Sequence, residues 1–265
     1  MRERTFYSLL MFVAGCGLLL TTTACNGILD GIYDEMPETP ALRAHQMRID
    51  ATSWTDWYYM DFDSLAMAES GEDAAALLRL QTTFKAYPIP KEPTKKTDNH
   101  RIGIYTYWFD VLGKGLLHNE CRAFTATEKQ PEPKSWSMAV HRNNVRTNEG
   151  EVLETQYTRM EDLPESSEAF ADAAFTPDEW SENKVWVDRT EMLNEIIKCQ
   201  GIKTNPLLSS WLQISIPPFP PVFTHNNHIF ILRLKNGKCA AVQLENYMNE
   251  KGVKCQLTIN YKYPY

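Results

Sequence analysis

The sequence lacks the short motifs that mark the common catalytic sites. It contains no G-x-S-x-G, H-E-x-x-H, Walker or G-x-G-x-x-G pattern, and no cysteine is paired by motif with a histidine. Its cysteines include no C-x-x-C spacing, which argues against zinc. Nothing singles out a glycosidase-like pair of carboxylates. The sequence therefore favours a protein that is not an enzyme.

Basic residues are also fewer than acidic ones, 27 Lys and Arg against 34 Asp and Glu. The formal net charge is −7, and no cluster of basic residues is present, which argues against a nucleic-acid partner. Eight carboxylates and no Lys or Arg lie between Met160 and Asn183. This acidic stretch has no D-x-[DN]-x-[DN]-G spacing, so it predicts a solvated irregular loop rather than a calcium site.

The N-terminus has the layout of a secretory signal. Two arginines precede an apolar run from Phe6 to Leu20, and Thr-Thr-Thr-Ala then leads to Cys25. A small residue before a cysteine is what lipoprotein signal peptidase requires, so residues 1–24 are predicted to be the signal and Cys25 the lipid attachment site. Cleavage at Cys16 and ordinary secretion are the alternatives. A membrane-spanning helix is disfavoured because Gly15-Cys16-Gly17 interrupts the run and no basic stop follows it.

Two segments follow the signal, and the second contains an insertion. Residues 25–46 are rich in carboxylates and contain Gly and Pro, which predicts a tether. Residues 47–265 are predicted to form one β domain with an insertion at about 63–120. Helix formers between residues 74 and 84 predict one short helix in that insertion.

Residues 135–150 are the stretch around which the domain is organised. Trp136, Met138 and Val140 alternate with smaller or polar residues, the period of a strand with one face on a core. From His141 onward the side chains are mostly polar or basic, so the strand is expected to leave the core there.

Strand patterns also occur on both sides of this stretch. In residues 52–62, Trp57 and Tyr59 are predicted to lie on one face of a strand, with Tyr58, Met60 and Phe62 on the other. Further strands are predicted at 184–187 and 211–216. A terminal meander is predicted from strands at 228–234, 239–244 and 255–263, with Asn236-Gly237 as a hairpin turn.

Two cysteines fall in this meander. Antiparallel pairing places Cys239 opposite the far end of the last strand, near Asn260, rather than opposite Cys255. A disulfide needs Cα atoms within about 7 Å, so Cys239 and Cys255 are predicted not to be bridged.

The stretch WSMAVHRNNVRTNEG at 136–150 and the terminal meander resemble the HmuY-like family of haem-binding surface lipoproteins. The strand TSWTDWYYMDF at 52–62 and the lipoprotein signal fit the same pattern. The resemblance implies a mainly β fold, an HmuY-like antiparallel β domain with a short helical insertion. It also implies that the protein captures haem or a related tetrapyrrole at the outer membrane and passes it to a TonB-dependent receptor. The alternative is an accessory lipoprotein with a protein or another ligand as its partner.

The resemblance also implies where the ligand lies. The family's axial ligands come from two loops, whose matching positions here are Lys184 and Ile216. Ile216 has no donor atom and protonated Lys184 is a poor donor. Met192 is then the axial donor expected from these loops, and Phe219 and Phe223 form an apolar wall within the proline-rich second loop. A ligand that brings its own axial groups, such as a corrinoid, is the other expectation.

The histidines outside these loops are expected to be structural. His141, His225 and His228 are each predicted to make hydrogen bonds in a strand or at a strand end, because a lone histidine is weak evidence for a metal site.

Overall fold

The computed structural model describes residues 38–89, 104–110, 115–124, 131–188, 196–215 and 220–265. The chain divides into two compact units, Met1–Pro40 and Ala41–Tyr265, and the second contains all the elements named here. Its helices are α1 (Phe62–Ser70) and α2 (Ala74–Thr82). Its strands are β1 (Gln46–Asp50), β2 (Asp56–Met60), β3 (Lys85–Pro88), β4 (Ile104–Asp110), β5 (Gly115–Phe124), β6 (Met138–His141), β7 (Asn144–Thr147), β8 (Glu151–Glu154), β9 (Thr176–Pro177), β10 (Glu179–Asp188), β11 (Ile196–Thr204), β12 (Leu212–Ser215), β13 (Val222–His225), β14 (Phe230–Arg233), β15 (Cys239–Met248) and β16 (Lys254–Lys262).

The strands form three larger sheets and one separate hairpin. The largest sheet has the order β1-β16-β15-β14-β8-β9, and the second has the order β3-β2-β6-β7. The third has the order β10-β11-β4-β5, and β12 pairs with β13 alone. All the described pairings are antiparallel. The predicted mainly β, antiparallel fold is therefore confirmed.

The main core lies between the largest sheet and the second sheet. Phe230 and Leu232 of β14 belong to the same buried cluster as Met138 and Val140 of β6. These residues alternate along their strands, so each strand turns one face toward this core.

Each of the two sheets has a second covered face. On the second sheet, Trp57 and Tyr59 of β2 pack with Trp136, whereas Met60 and Phe62 face the main core, as the sequence predicted. On the largest sheet, Ile229 and Ile231 are covered by Tyr157 and by apolar residues of the acidic stretch, namely Met160, Leu163, Phe170 and Phe175.

The acidic stretch is therefore more than a solvated loop. It forms two short 3₁₀ helices, Met160–Asp162 and Ser167–Phe170, and its apolar side chains pack on the sheet while most of its carboxylates are exposed. The prediction of irregular structure holds up to Phe175 but is wrong beyond it, where β9 and β10 begin, and the packing role was missed.

Two helices occupy the region where one was predicted. The predicted helix corresponds to α2, whose N-cap Asp73 accepts a hydrogen bond from the backbone N–H of Ala76. Helix α1 was missed, although its N-cap Asp61 accepts from Asp63 N in the same way. Phe62 and Leu65 of α1 are buried in the main core. In the part of the chain that the structure describes, no helix is long and apolar enough to cross a membrane.

The terminal meander is present as predicted, with a different register. Ala241 pairs with Lys262, and Tyr265 N donates to Cys239 O over 2.9 Å. The position opposite Cys239 is therefore about four residues beyond Asn260, where it was expected. Cys239 and Cys255 are both free thiols, which agrees with the prediction that they are not bridged.

One expectation about the organising stretch is wrong. The strand does not leave the core at His141, because the chain turns tightly at Arg142 (φ 54°) and returns as β7. His141 has no exposed surface, and Arg146 and Thr147 are each 4% exposed. Polar side chains can be buried here because segments distant in sequence supply their partners.

Candidate functional site

Two hairpins carry the loops that the sequence assigns to the ligand. Strands β10 and β11 form the first hairpin, and β12 and β13 form the second. Lys184 lies in β10, in the stretch between Ser181 and Trp186 where the pairing with β11 shifts register. Met192, Ile216 and Phe219 fall between the paired strands and lie outside the described residues.

Phe223 is the remaining predicted ligand residue, and its ring packs on the terminal meander. It stacks on Tyr247 of β15 with a centroid distance of 5.5 Å and an interplanar angle of 4°. The Lys254 ammonium lies 4.2 Å from the centre of the Phe223 ring. His225, two residues further along β13, meets Tyr247 edge-on at 5.9 Å. Phe223 therefore fixes the second hairpin against the domain.

The base of the first hairpin is tied to β7. Asp178 directly precedes β10 and Asn205 directly follows β11, and the pairing of Glu179 with Thr204 sets them opposite each other. Thr147 donates to the Asp178 carboxylate twice, from its backbone N over 2.7 Å and from its hydroxyl over 2.9 Å. One end of the hairpin is thereby fixed.

Asn205 fixes the other end. Its backbone N–H donates to Val145 O of β7 over 2.8 Å, and its side-chain Nδ2 donates to Thr176 O over 2.8 Å. Its Oδ1 accepts from Leu208 N over 2.9 Å, and the residue has no exposed surface. A buried amide with these partners holds the backbone in a single arrangement.

The base of the second hairpin rests on the same β6–β7 hairpin. Val145 N donates to Ser209 Oγ over 2.9 Å, and Trp211 Nε1 donates to Asn143 O over 3.3 Å. Asn226 N then donates to Trp211 O over 2.9 Å, just beyond the end of β13. Residues 143–147 are thus a shared support for both hairpins.

A buried arginine, Arg146, belongs to this support. The Arg146 guanidinium lies 4.8 Å from the centre of the Trp136 ring and 5.2 Å from the centres of the Trp57 and Tyr59 rings. It donates to the Tyr59 hydroxyl, and to Glu132 Oε2 over 3.2 Å. Aromatic faces and an anionic partner together offset the cost of removing this cation from water.

Burial shifts the pKa values of two groups near the support. Desolvation raises the pKa of Asp178 above its ordinary value, although hydrogen bonds from Thr147 and Asn205 act in the opposite direction. Desolvation also raises the pKa of Tyr59 to about 12, against the lowering effect of Arg146.

His141, His225 and His228 each have a hydrogen-bond partner within the domain, as expected. His141 Nδ1 donates to Asp56 O over 2.9 Å, and His225 Nε2 donates to Leu244 O over 2.6 Å. His228 Nδ1 lies 2.8 Å from Glu154 Oε1. Within the described residues, no group of three or more His, Cys, Asp or Glu side chains could hold a metal ion.

An open depression of about 950 Å³ lies at the edge of the largest sheet, beside Met160, His225 and Tyr261. Its polar groups are largely used within the protein. Arg43 pairs with Glu245, and the Gln243 amide donates to Thr158 O and to Asn227 O at 2.7 and 2.8 Å. A ligand would find few polar groups converging on it, so the hairpin loops remain the better candidate.

Sequence reasoning assigned the ligand loops from the family resemblance and did not identify the residues that hold the bases of the two hairpins. Asp178, Asn205 and Ser209 belong to no motif, and their partners in β7 lie 31 to 64 residues away in sequence. The unusual polarity of residues 141–148 was the available signal, and it was interpreted as exposure.

The architecture is that of an antiparallel β domain that presents two hairpins from a shared polar support. The HmuY protein family matches residues 53–261, so the chain belongs to that family. None of the curated proteins matches the chain.

Solved structures show the same fold. A protein from Bacteroides vulgatus, described as HmuY-like and heme-binding, shares 26% identity with a TM-score of 0.54, covering 86% of this chain and 96% of its own. A lipoprotein from Bacteroides fragilis shares 28% identity with a TM-score of 0.52, covering 86% and 94%. Apo PinO from Porphyromonas gingivitis shares 17% identity with a TM-score of 0.55, covering 84% and 97%, which supports the fold alone.

Proposed function

We propose that this protein is a lipid-anchored surface protein that binds haem or a related tetrapyrrole and delivers it to a TonB-dependent receptor of the outer membrane. The ligand lies between the loop of the β10–β11 hairpin and the loop of the β12–β13 hairpin. Membership of the HmuY family supports the binding role. The observation that carries the proposal is the shared support, because residues 143–147 hold the bases of both hairpins.

The ligand is held mainly by apolar contact. We expect Phe219 and the prolines around it to supply a stiff apolar wall, since proline fixes φ and lacks an N–H group. A flat macrocycle gains roughly 25 cal/mol for each Å² of apolar surface that it buries against such a wall. Haem iron would add one axial bond from the Met192 thioether, whereas Lys184 and Ile216 contribute no iron ligand.

A haemin titration of the purified protein tests this function. We expect a red-shifted, sharpened Soret band that saturates with haemin. Met192→Ala should change the visible bands, and Phe219→Ala should weaken binding. The matched control is Met67→Ala, because the Met67 side chain is 76% exposed on α1 and far from both loops in sequence.

Two outcomes would change the assignment. Equal spectra and affinities in the wild type and in both loop variants would place the haem elsewhere on the protein. A flat haemin titration together with saturable binding of cobalamin would identify a corrinoid as the ligand. If neither compound binds the folded protein, the accessory role with a protein partner is favoured.

A further inference from the structure

The β10–β11 hairpin carries the first ligand loop. One polar cluster at its base connects both of its strands to β7. Asp178 and Asn205 stand on the two sides of the β10–β11 base, and both bond to β7. The cluster is dense, since the Thr147 hydroxyl lies 2.9 Å from Asp178 Oδ1 and 3.1 Å from the Gly150 N–H. Thr147 and Asn205 are almost fully buried, so water cannot replace these bonds.

Apolar contacts alone could stabilise the packing of these strands. Burying a carboxylate costs free energy unless hydrogen bonds compensate, and replacing such groups by apolar residues is often neutral or stabilising. Unlike apolar contacts, the hydrogen bonds of the cluster are directional, so they fix the angle at which each strand leaves the core.

We propose that Thr147, Asp178 and Asn205 form an anchor that fixes the β10–β11 hairpin on the β6–β7 hairpin, which makes these three residues positioning residues for ligand binding. The ligand-binding part of this inference rests on the proposed function. The anchoring part concerns the ligand-free protein and is tested without a ligand.

Thr147→Val is the most informative variant. Valine keeps the β-branched shape of threonine and removes the hydroxyl that bonds to Asp178. The matched control is Thr155→Val. Thr155 is equally buried, at 4% exposed, and its hydroxyl donates to Ile229 O over 2.7 Å, away from the β10–β11 hairpin.

The primary measurement is hydrogen exchange in the ligand-free protein. In Thr147→Val, we expect amides in residues 179–188 and 196–204 to exchange about tenfold faster, the effect of losing roughly one hydrogen bond from a local opening. Amides of β14 to β16 should keep their wild-type rates. In Thr155→Val, the hairpin amides should be unchanged.

Two further variants guard against a simple folding defect. Thr147→Ser restores the hydroxyl and should return hairpin exchange to near the wild-type rate. Asp178→Asn keeps an oxygen that can accept from Thr147 N, so its effect should lie between those of the wild type and Thr147→Val. Uniform acceleration across all sheets in Thr147→Val, or no acceleration in the hairpin, would overturn the anchor.

The haemin titration then tests the positioning role. Thr147→Val should weaken haem binding by roughly threefold to tenfold, and Thr155→Val should not, even where both variants lose similar stability. Faster hairpin exchange without weaker binding would leave an anchor with no positioning role. If the wild type binds no haem, the proposed function fails, and the exchange experiment still decides on the anchor.

Discussion

The Arg146 side chain illustrates how single residues in this domain depend on distant partners. An isolated buried cation is costly, and here the cost is offset by three aromatic rings, the Tyr59 hydroxyl and Glu132. Tyr59 in turn donates its own proton to Pro131 O over 3.1 Å. The phenol is therefore held in its neutral form by burial and by this acceptor.

The titration of Tyr59 gives a prediction about alkaline stability. Its pKa in the folded protein is about 12, above the ordinary value of 10.0. A raised folded pKa means that the stability contributed by the proton is complete below the unfolded pKa and is lost as the pH rises toward 12. Tyr59→Phe lacks this titration, so its free energy of unfolding should fall less steeply above pH 10 than that of the wild type.

Urea unfolding at several pH values from 8 to 11.5 measures this difference. At pH 8 the variant should be less stable by about 1–3 kcal/mol, because Arg146 loses an acceptor, and the gap should narrow as the pH rises. Burial also raises the pKa of Tyr261, so some alkaline loss will remain in the variant. A gap that stays constant from pH 8 to 11.5 would show that Tyr59 titrates normally in the folded protein.

At the scale of elements, the turn from β7 to β8 depends on a residue without a side chain. A Cβ atom at Gly150 would lie 2.8 Å from the backbone oxygen of Arg233 in β14 and 3.2 Å from the Thr147 Cβ. Neither neighbour can move easily, because β14 is paired on both sides and Thr147 is paired with Met138 of β6. Glycine here permits the close approach of two strands.

Gly150→Ala should therefore lower the free energy of unfolding by about 1–3 kcal/mol, the usual cost of overpacking. Gly71→Ala is the control: φ at Gly71 is −83°, and the added Cβ would come no closer than 3.2 Å to Met67 O. The comparison is made by denaturant unfolding. Equal losses in the two variants would mean that the contact with Arg233 is relieved by a strand shift.

Elements with strong local patterns could be predicted from the sequence. The alternation in β2 gave the correct two faces, and the terminal meander was found with its Asn236-Gly237 turn. Helix α1 was missed because its sequence mixes Ser and Asp with apolar residues and its burial comes from packing. Burial of the polar β7 strand was missed because Asp178 and Asn205 are brought to it by the fold.

At the scale of the whole molecule, attachment to the membrane remains a prediction from the N-terminal sequence. Cys25→Ala removes the thiol that receives the lipid, so fatty-acid labelling should disappear and the protein should leave the membrane fraction. Cys239→Ala is the control, since Cys239 lies in β15 as a free thiol and should not affect labelling. Continued labelling of the Cys25 variant would indicate Cys16 as the attachment site.

In both hairpins, the loop proposed to contact the ligand is separated along the strands from the hydrogen bonds that attach the hairpin to the domain. The innermost strand pairs are Asp188 with Lys198 in one hairpin and Ser215 with Val222 in the other. Residues between the members of each pair include Met192, Ile216 and Phe219, whereas the bonds that hold the hairpins lie outside these pairs. The residues between the members of each pair can therefore be replaced without removing the hydrogen bonds that hold the hairpins. Under the proposed function, we expect loops taken from a relative and joined at these pairs to transfer ligand preference without redesign of the core.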